Sequence, residues 1–503
     1  MDILKFWEER EIFRRSVDER PEDNLFVFYE GPPTANARPG IHHVLPRVLK
    51  DLITRYRTMK GYRVSRKAGW DTHGLPVELE VEKELGLRSK PEIEAYGIAK
   101  FNQHCRDSVS KYVLDWERLS ERIAFWADME SPYVTYQNNY IETGWWIFSQ
   151  LWDAGLIYQD YRTTPHCPRC ETSLSDHEVS LGYKDDISDP SIYVKFKLVK
   201  GNSQGLEDID FSKLFLLAWT TTPWTLAGNT ALAVKDDANY GIYKNDGEYL
   251  IMAEDLGEAI LGEGSLPIKT ISGKFLVGLT YEPLYQPEKL DVDIFRFNES
   301  GLLQQINVDE SLDTVRQVVS ADFISLSDGV GVVHIAPAFG GEDFELGRVH
   351  NLLFIQPVDR AGIVAQNLPG AGEFVKDADA KVISDLKERN LLFKHEVIKH
   401  TYPFCWRCDA PLLYYAKPSW YIATTKVREN LLSGNERINW HPEHIKQGRF
   451  GKWLENNVDW AFSRERYWGT PLPFWSCENS NCASMVCVGS ITQLVEMATV
   501  PEE

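Results

Sequence analysis

Leu25-Phe26-Val27-Phe28-Tyr29-Glu30-Gly31-Pro32-Pro33-Thr34-Ala35-Asn36-Ala37-Arg38-Pro39-Gly40-Ile41-His42-His43 is the segment from which the architecture follows. Its first five residues form a short aromatic and β-branched run, which predicts a strand, and the glycines and prolines that follow disfavour regular structure. From His42 onward, Val44, Leu45, Val48, Leu49, Leu52, Ile53 and Tyr56 recur at spacings of three and four. That period predicts a helix to about Lys60, buried on one face. Pro46 falls near its first turn, where a missing amide hydrogen is tolerated. Tyr62-Arg63-Val64 reads as a second strand, with Lys67-Ala68-Gly69-Trp70-Asp71-Thr72-His73-Gly74-Leu75-Pro76 as the loop leaving it. Strand, loop, helix, strand and loop make a βαβ unit. Its right-handed crossover makes the strands parallel and brings both loops to one carboxyl edge, where ligands bind.

Outward from this unit, residues 77–160 read as mainly helical, with tryptophan-bearing stretches such as Thr143-Gly144-Trp145-Trp146-Ile147. From about 185 to about 395 the texture changes to short β-branched runs separated by Gly, Asn and Asp, among them Ile192-Tyr193-Val194-Lys195-Phe196-Lys197 and Leu214-Phe215-Leu216-Leu217-Ala218-Trp219. A β-rich body thus interrupts an α/β chain. The expected organisation is 1–184, an inserted domain at 185–395, and a return at 396–503. No internal repeat or low-complexity segment is apparent.

At roughly 150 residues per domain, 503 residues suggest about three domains. With 43% apolar and 25% charged residues the chain can bury several cores, which excludes a disordered protein. The net charge of −20 lacks the basic footprint of a nucleic-acid binder, so such a partner must use local basic patches. No window approaches the roughly 20 apolar residues of a membrane span, and Met1-Asp2-Ile3-Leu4-Lys5-Phe6-Trp7 does not read as a signal peptide. The expectation is a soluble, cytoplasmic protein with no membrane association.

Eight cysteines are too few for a disulfide scaffold, but they are patterned. Cys167-Pro168-Arg169-Cys170 and Cys405-Trp406-Arg407-Cys408 have the spacing with which two thiolates hold one side of a tetrahedral Zn²⁺, four together closing the site. They share an ion only if the fold returns the chain to where it left. The alternative is two unrelated buried or redox pairs. His166 and His177 read as surface or packing residues, and Cys105 as a buried apolar one. Cys477 and Cys482, with Cys487, are either half of a second site or free.

Three further constellations stand out. Gly40-Ile41-His42-His43 opens a helix, whose N-terminal amides and imidazoles suit phosphate oxygens, while Asp71 arrives from the next strand's end, placed for a substrate ammonium. Trp219-Thr220-Thr221-Thr222-Pro223-Trp224-Thr225-Leu226, followed by Asn229, gathers hydroxyls around a proline. Gly331-Val332-Val333-His334-Ile335-Ala336-Pro337-Ala338-Phe339-Gly340-Gly341-Glu342-Asp343 leaves a strand through a histidine into a glycine loop ending in carboxylates. Taken singly, each has an ordinary structural reading.

Taken together, Glu30 to Asn36, Gly69 to Glu78, Trp219 to Leu226, His334 to Asp343, and Ser463-Arg464-Glu465-Arg466-Tyr467-Trp468-Gly469-Thr470-Pro471 resemble the isoleucyl-tRNA synthetases, class I aminoacyl-tRNA synthetases. The resemblance is collinear over essentially the whole chain. It implies an α/β fold in which a Rossmann parallel-sheet catalytic domain is interrupted by a β-rich editing domain, with a zinc knuckle at the junction. It also implies activation of isoleucine by ATP with Mg²⁺, and transfer to tRNA(Ile) by a monomer. Asp71 matches the residue holding the substrate amino group, Pro33 a pocket wall, and His43 the last histidine of the nucleotide signature. A hydrophobic pocket gains only about 1–3 kcal/mol per methylene, so valine must be cleared at a second, hydrolytic site; isoleucine against valine is the standard illustration of this limit. In that role Thr220, Thr221 and Thr222 line the ester, Asn229 assists, His334 shapes the side-chain pocket and Asp343 pairs with the ammonium. With no Ser-His-Asp or Cys-His arrangement apparent, the nucleophile is a positioned water.

Two departures accompany the resemblance. The family signature reads His-x-Gly-His, whereas Gly40 stands in the first histidine's slot and His42 in the glycine's, so an altered nucleotide pocket is expected. The lysine signature loop and the anticodon-binding helices are missing. The expectation is therefore the amino-terminal part of a longer synthetase, poor in activation but able to hydrolyse Val-tRNA. The alternatives are a free-standing deacylase and a non-catalytic, zinc-dependent tRNA-binding protein.

Overall fold

A computed structural model describes residues 2–34, 38–199, 205–286, 289–299, 301–306, 316–478, 482 and 484–498. The chain divides into two compact units: an outer one of Met1–Tyr158 with Trp420–Glu503, and a central one of Gln159–Ser419. No described helix is long and apolar enough to cross a membrane. The fold is α/β, and its largest sheet is mixed.

The outer unit contains a three-stranded parallel sheet, Phe28–Tyr29, Arg66–Trp70 and Asp128–Val134 in that order. The turn Ile41–His43 and the helix Val44–Met59 lie between its first two strands. The second strand is therefore Arg66–Trp70. Around the expected strand at 62–64 there is only an isolated parallel bridge, Leu25 to Arg63. The sequence misleads here because a strand carrying Arg and Gly reads as loop. In the fold, Arg66 is buried, with its guanidinium 5.3 Å from the ring of Trp126, 5.5 Å from that of Phe13 and hydrogen bonded to the Thr58 hydroxyl at 2.9 Å. The third strand, Asp128–Val134, interrupts the stretch expected to be mainly helical.

The helix Val44–Met59 departs further from expectation. Its apolar stripe of Leu45, Val48, Leu49, Leu52, Ile53 and Tyr56 is 48–66% exposed, and its buried positions are Arg47, Thr54 and Thr58. Specific contacts hold that polar flank inside. Arg47 lies 5.0 Å from the Trp116 ring and 5.3 Å from that of Phe125, and it donates to the Ser120 hydroxyl. Period 3.6 shows that one face is apolar but not which face packs inward.

The central unit is built on a ten-stranded mixed sheet. The long strand Tyr183–Val199 pairs with both Leu214–Thr220 and Leu392–Pro403, bringing the two sides of the β-rich stretch together. Ala231–Val234 pairs antiparallel with Val332–Ile335, which sets His334 opposite Leu232. Alternating Ile192, Val194, Phe196 and Leu198 enter one apolar cluster with Leu214, Leu216, Leu250 and Ile251, all at most 1% exposed. Helices Gly341–Val349 and Val375–Glu388 also belong to this unit.

Candidate functional site

In the outer unit, the amide of Asp71 donates to the Pro33 carbonyl at 3.0 Å, and Thr34 bridges to Asp71 as a strand pair would. The Thr34 hydroxyl also donates to Asp71 Oδ2 at 3.1 Å. Pro33, Thr34, His43, Arg47, Lys50 and Trp116 are among the residues lining a cavity of about 390 Å³. Asp71 is joined to its wall through Thr34. Glu30, buried at the rim, accepts from Lys50 Nζ at 2.7 Å. Residues 35–37, the middle of the glycine-proline loop, lie outside the described residues.

The two histidines are ordered by their own turn. The amide of Gly40 donates to His43 Nδ1 at 2.9 Å, so the neutral ring carries its hydrogen on Nε2 and presents a donor there. Burial, and then the neighbouring His42, lower the pKa of His43, favouring that neutral form. The ring of His43 packs 4.6 Å from Trp116, and the exposed ring of His42 lies 3.8 Å from that of His43. A Cβ on Gly40 would sit 2.7 Å from the His42 ring. With glycine at 40, the imidazole of residue 42 folds back into the space a side chain at 40 would take.

The segment at 463–471 carries no role by spacing alone, and the fold gives it one. Buried Glu78 Oε1 accepts the backbone amides of Tyr467 at 2.8 Å and Trp468 at 2.7 Å. Burial raises the pKa of Glu78, opposed by Arg466 at 3.6 Å. Trp468 then donates its indole N–H to the Thr72 carbonyl and packs edge-on against His73, walling the segment that carries Asp71. The signal is present in the motif, but the partner is 390 residues away.

In the central unit, the threonine turn and the histidine strand meet. Thr225 Oγ1 donates to the Thr222 carbonyl at 2.8 Å and lies 3.0 Å from His334 Nε2, so the ring nitrogen donates to the hydroxyl. Thr222 Oγ1 is 3.1 Å from Thr225 Oγ1 and 3.2 Å from Thr220 Oγ1. A line of hydroxyls thus runs from Thr220 to His334 through Thr225, a residue to which sequence reasoning gave no role. Burial pushes His334 down to about 4, keeping it neutral. Its Nδ1 is buried without a hydrogen-bond partner among the described residues. Thr221 is half-buried. Asn229 is buried and engaged at both ends of its amide: it accepts from Tyr281 at 2.7 Å and donates to the Ala231 carbonyl at 2.9 Å, bracing the turn.

Asp343 lies in the first turn of Gly341–Val349, where Oδ2 accepts the Ala336 amide at 2.8 Å. A Cβ at Gly340 would come within 2.6 Å of that carboxyl carbon, so glycine is needed to seat it. Burial pushes Asp343 up to about 6. A cation bound beside it would favour the ionised form.

The cysteines of both pairs, Cys167, Cys170, Cys405 and Cys408, come together with all four sulfurs within 4.8 Å of one another. Cys408 Sγ is 3.4 Å from that of Cys167 and 3.5 Å from that of Cys170. Tetrahedral Zn–S bonds of about 2.3 Å place sulfurs roughly 3.8 Å apart, so the arrangement fits a closed four-thiolate site. It is the one metal-ligating cluster among the described residues. His166 is not part of it: it is buried, stacked on Tyr415, with Nε2 2.7 Å from the Arg360 carbonyl. The side chain of His177 and residues 479–481 and 483 lie outside the described residues. Cys477 and Cys482 are exposed, whereas Cys105 and Cys487 are buried.

A family described as tRNA synthetases class I (I, L, M and V) matches residues 2–503. The chain belongs to that family. This synthetase chain is 52% identical over 503 residues to an isoleucine–tRNA ligase of Dehalococcoides mccartyi, covering 98% of the chain and 48% of the relative. It is 48% identical over 500 residues to one from Thermus thermophilus, covering 99% and 45%, and 47% identical over 503 residues to one from Clostridium novyi, covering 100% and 45%. The synthetase chain spans about half the length of the curated relatives it matches.

Proposed function

We propose that the chain carries the isoleucine-activating and editing parts of an isoleucine–tRNA ligase, which joins isoleucine to tRNA(Ile) using ATP with Mg²⁺ and hydrolyses Val-tRNA(Ile). The observation that carries this reading is the collinear match, over the whole chain, to proteins of that name. In this reading the outer unit's parallel sheet belongs to a Rossmann catalytic domain, and the central unit holds the editing domain within the 185–395 span. The cytoplasm is the proposed location, and the working form is a monomer.

In activation, Asp71 takes the substrate ammonium, Pro33 forms a wall of the amino-acid pocket, and the Nε2–H of His43 donates to a phosphate oxygen. His42, folded over Gly40, supplies the second imidazole. On the same cavity Lys50 is paired with Glu30, which leaves the charge of Arg47 to favour the anionic nucleotide.

In editing, the misattached valine's ammonium pairs with Asp343, and its side chain meets His334, whose neutral ring is fixed by Thr225. The hydroxyls of Thr220, Thr221 and Thr222 hold the ester for attack by water, and Asn229 keeps the turn in shape. A Zn²⁺ held by Cys167, Cys170, Cys405 and Cys408 would supply structural cross-linking, since four thiolates leave no open position.

The test is to give the chain tRNA(Ile) carrying either valine or isoleucine, and separately to follow isoleucine-dependent ATP–pyrophosphate exchange. Release of valine at least tenfold faster than isoleucine is expected. Equal rates for the two, or no release of either, would overturn the editing assignment. Exchange stimulated by leucine or valine in preference to isoleucine would overturn the isoleucine assignment.

A further inference from the structure

The turn bearing Thr222 and Thr225 begins with a donor that nothing local can satisfy. Pro223 has no amide hydrogen. The amide of Thr222 goes to Thr220 Oγ1 at 3.1 Å, and that of Thr225 to the Thr222 carbonyl at 3.0 Å. The amide of Trp224 remains, inside a core where Trp224 is 5% exposed. A buried N–H without an acceptor loses its hydration with nothing in return. Its acceptor comes from 155 residues further along the chain: Asp379 Oδ1, at 3.0 Å.

Asp379 is an unusual residue for its place. It shares the inward face of Val375–Glu388 with Val375, Ala378, Val382 and Leu386, and is 4% exposed. Packing alone would favour an aliphatic side chain there. The nearest cation on its own helix is committed elsewhere: Lys376 is engaged with both oxygens of Asp189 at 2.8 and 2.9 Å, and His400 also bonds Asp189, at 2.9 Å. Burial accordingly pushes Asp379 up to about 7, against the hydrogen bond from Trp224. A carboxyl kept in an apolar face at such a cost, and aimed at one amide, is best explained by what that amide controls.

We propose that Asp379 is a positioning residue for the hydrolytic site: by holding the Trp224 amide it fixes the entry of the Pro223–Gly228 turn, and with it the hydroxyl line from Thr222 through Thr225 to His334. The proposal rests on the editing reading above. Asp379 touches no substrate and acts through the backbone of the turn.

The experiment uses the whole 503-residue chain with three substitutions: Asp379→Leu, which fills the space and removes the acceptor; Asp379→Asn, which keeps a carbonyl oxygen; and Asp379→Ala. Hydrolysis of Val-tRNA(Ile) is measured as kcat and KM separately, and deuterium uptake at the Trp224 amide by mass spectrometry of its peptide. The Leu variant is expected to lose tenfold or more in kcat with KM within twofold, and to exchange the Trp224 amide at least tenfold faster. The Asn variant should stay within threefold of the parent in all three quantities. If Leu leaves kcat unchanged, if Asn is as impaired as Leu, or if the loss falls on KM, the proposal is wrong. Should Leu fail to fold, Ala serves in its place under the same criteria. A parent chain inactive on Val-tRNA(Ile) would remove the editing reading and this proposal together, an outcome the unsubstituted control separates from failure of Asp379 alone.

Discussion

The sheet of the central unit and the helix Val44–Met59 of the outer unit treat apolar surface in opposite ways, although the outer unit also closes a cluster around Val77, Val81 and Phe101. In the central unit, strands alternate into one cluster in which Phe196, Leu216, Leu250 and Ile251 have no exposure at all. In the outer unit, the helix Val44–Met59 turns Arg47, Thr54 and Thr58 inward and leaves six large apolar side chains about half exposed. Full burial of a Leu or Ile is worth about 1.5–3 kcal/mol, so each half-exposed one contributes only part of that. Stability and chemistry are thus distributed differently: the central unit's threonines, His334 and Asp343 sit on a closed core, whereas the outer unit's cavity rests on a thinner frame held by specific polar contacts.

The contrast is most open to failure at the cysteine cluster, where the largest effect is expected. Replacing Cys405 with Ala should abolish bound zinc in a chelator-release assay and lower the central unit's unfolding temperature by roughly 10 °C or more, several kcal/mol at about 2–4 °C each. The outer unit's unfolding should not follow; loss of metal without any thermal effect would mean that the site is not structural.

Core truncation comes next. Leu250→Ala should cost about 2–5 kcal/mol in urea unfolding, because it removes buried methylenes from a closed cluster. Leu49→Ala on the exposed stripe should cost less than about 0.5 kcal/mol. Equal penalties would erase the distinction between the units.

A pH profile probes the closed core from the side of its chemistry. Burial disfavours the charge of Asp343 and pushes its carboxyl up to about 6 in the fold. Ammonium pairing needs the ionised form, so hydrolysis of Val-tRNA(Ile) should be fully present above that value and fall about tenfold per pH unit below it. Stability runs the other way: a raised acid pKa stabilises the fold below the ordinary carboxylate range, and that contribution is lost as pH rises from about 4 to about 6. Asp343→Asn should therefore abolish the acid limb along with most activity, yet leave the central unit more resistant to urea at pH 8. A variant less stable than the parent at that pH would contradict the assignment of burial as the cause.

The smallest effect is expected on the stripe itself. Leu49→Ser with Leu52→Ser should leave the unfolding midpoint within about 0.5 kcal/mol while raising the soluble concentration, since exposed apolar patches drive association more than they stabilise. A large stability loss would show that these side chains are buried in solution.

Much of the candidate machinery is readable along the chain because its signals are local. Spacing of two residues announces each cysteine pair, and short β-branched or apolar runs announce the strands at 192–197 and 214–219. The strand Arg66–Trp70 is not readable, because its buried guanidinium is made tolerable by Trp126, Phe13 and Thr58, which spacing does not connect to it. Thr225 is in view but undistinguished until His334 arrives beside it.

Residue type and interval alone set the chemistry on offer: thiolates in pairs, hydroxyls around a proline, imidazoles at a helix start. Which side of the helix Val44–Met59 packs inward, which glycine makes room for which ring or carboxylate, and which distant acid receives the Trp224 amide were settled only in three dimensions. The physical reason is that a periodicity reports the neighbours along one segment, while burial of a charge or an amide depends on whichever remote partner folding brings within about 3 Å.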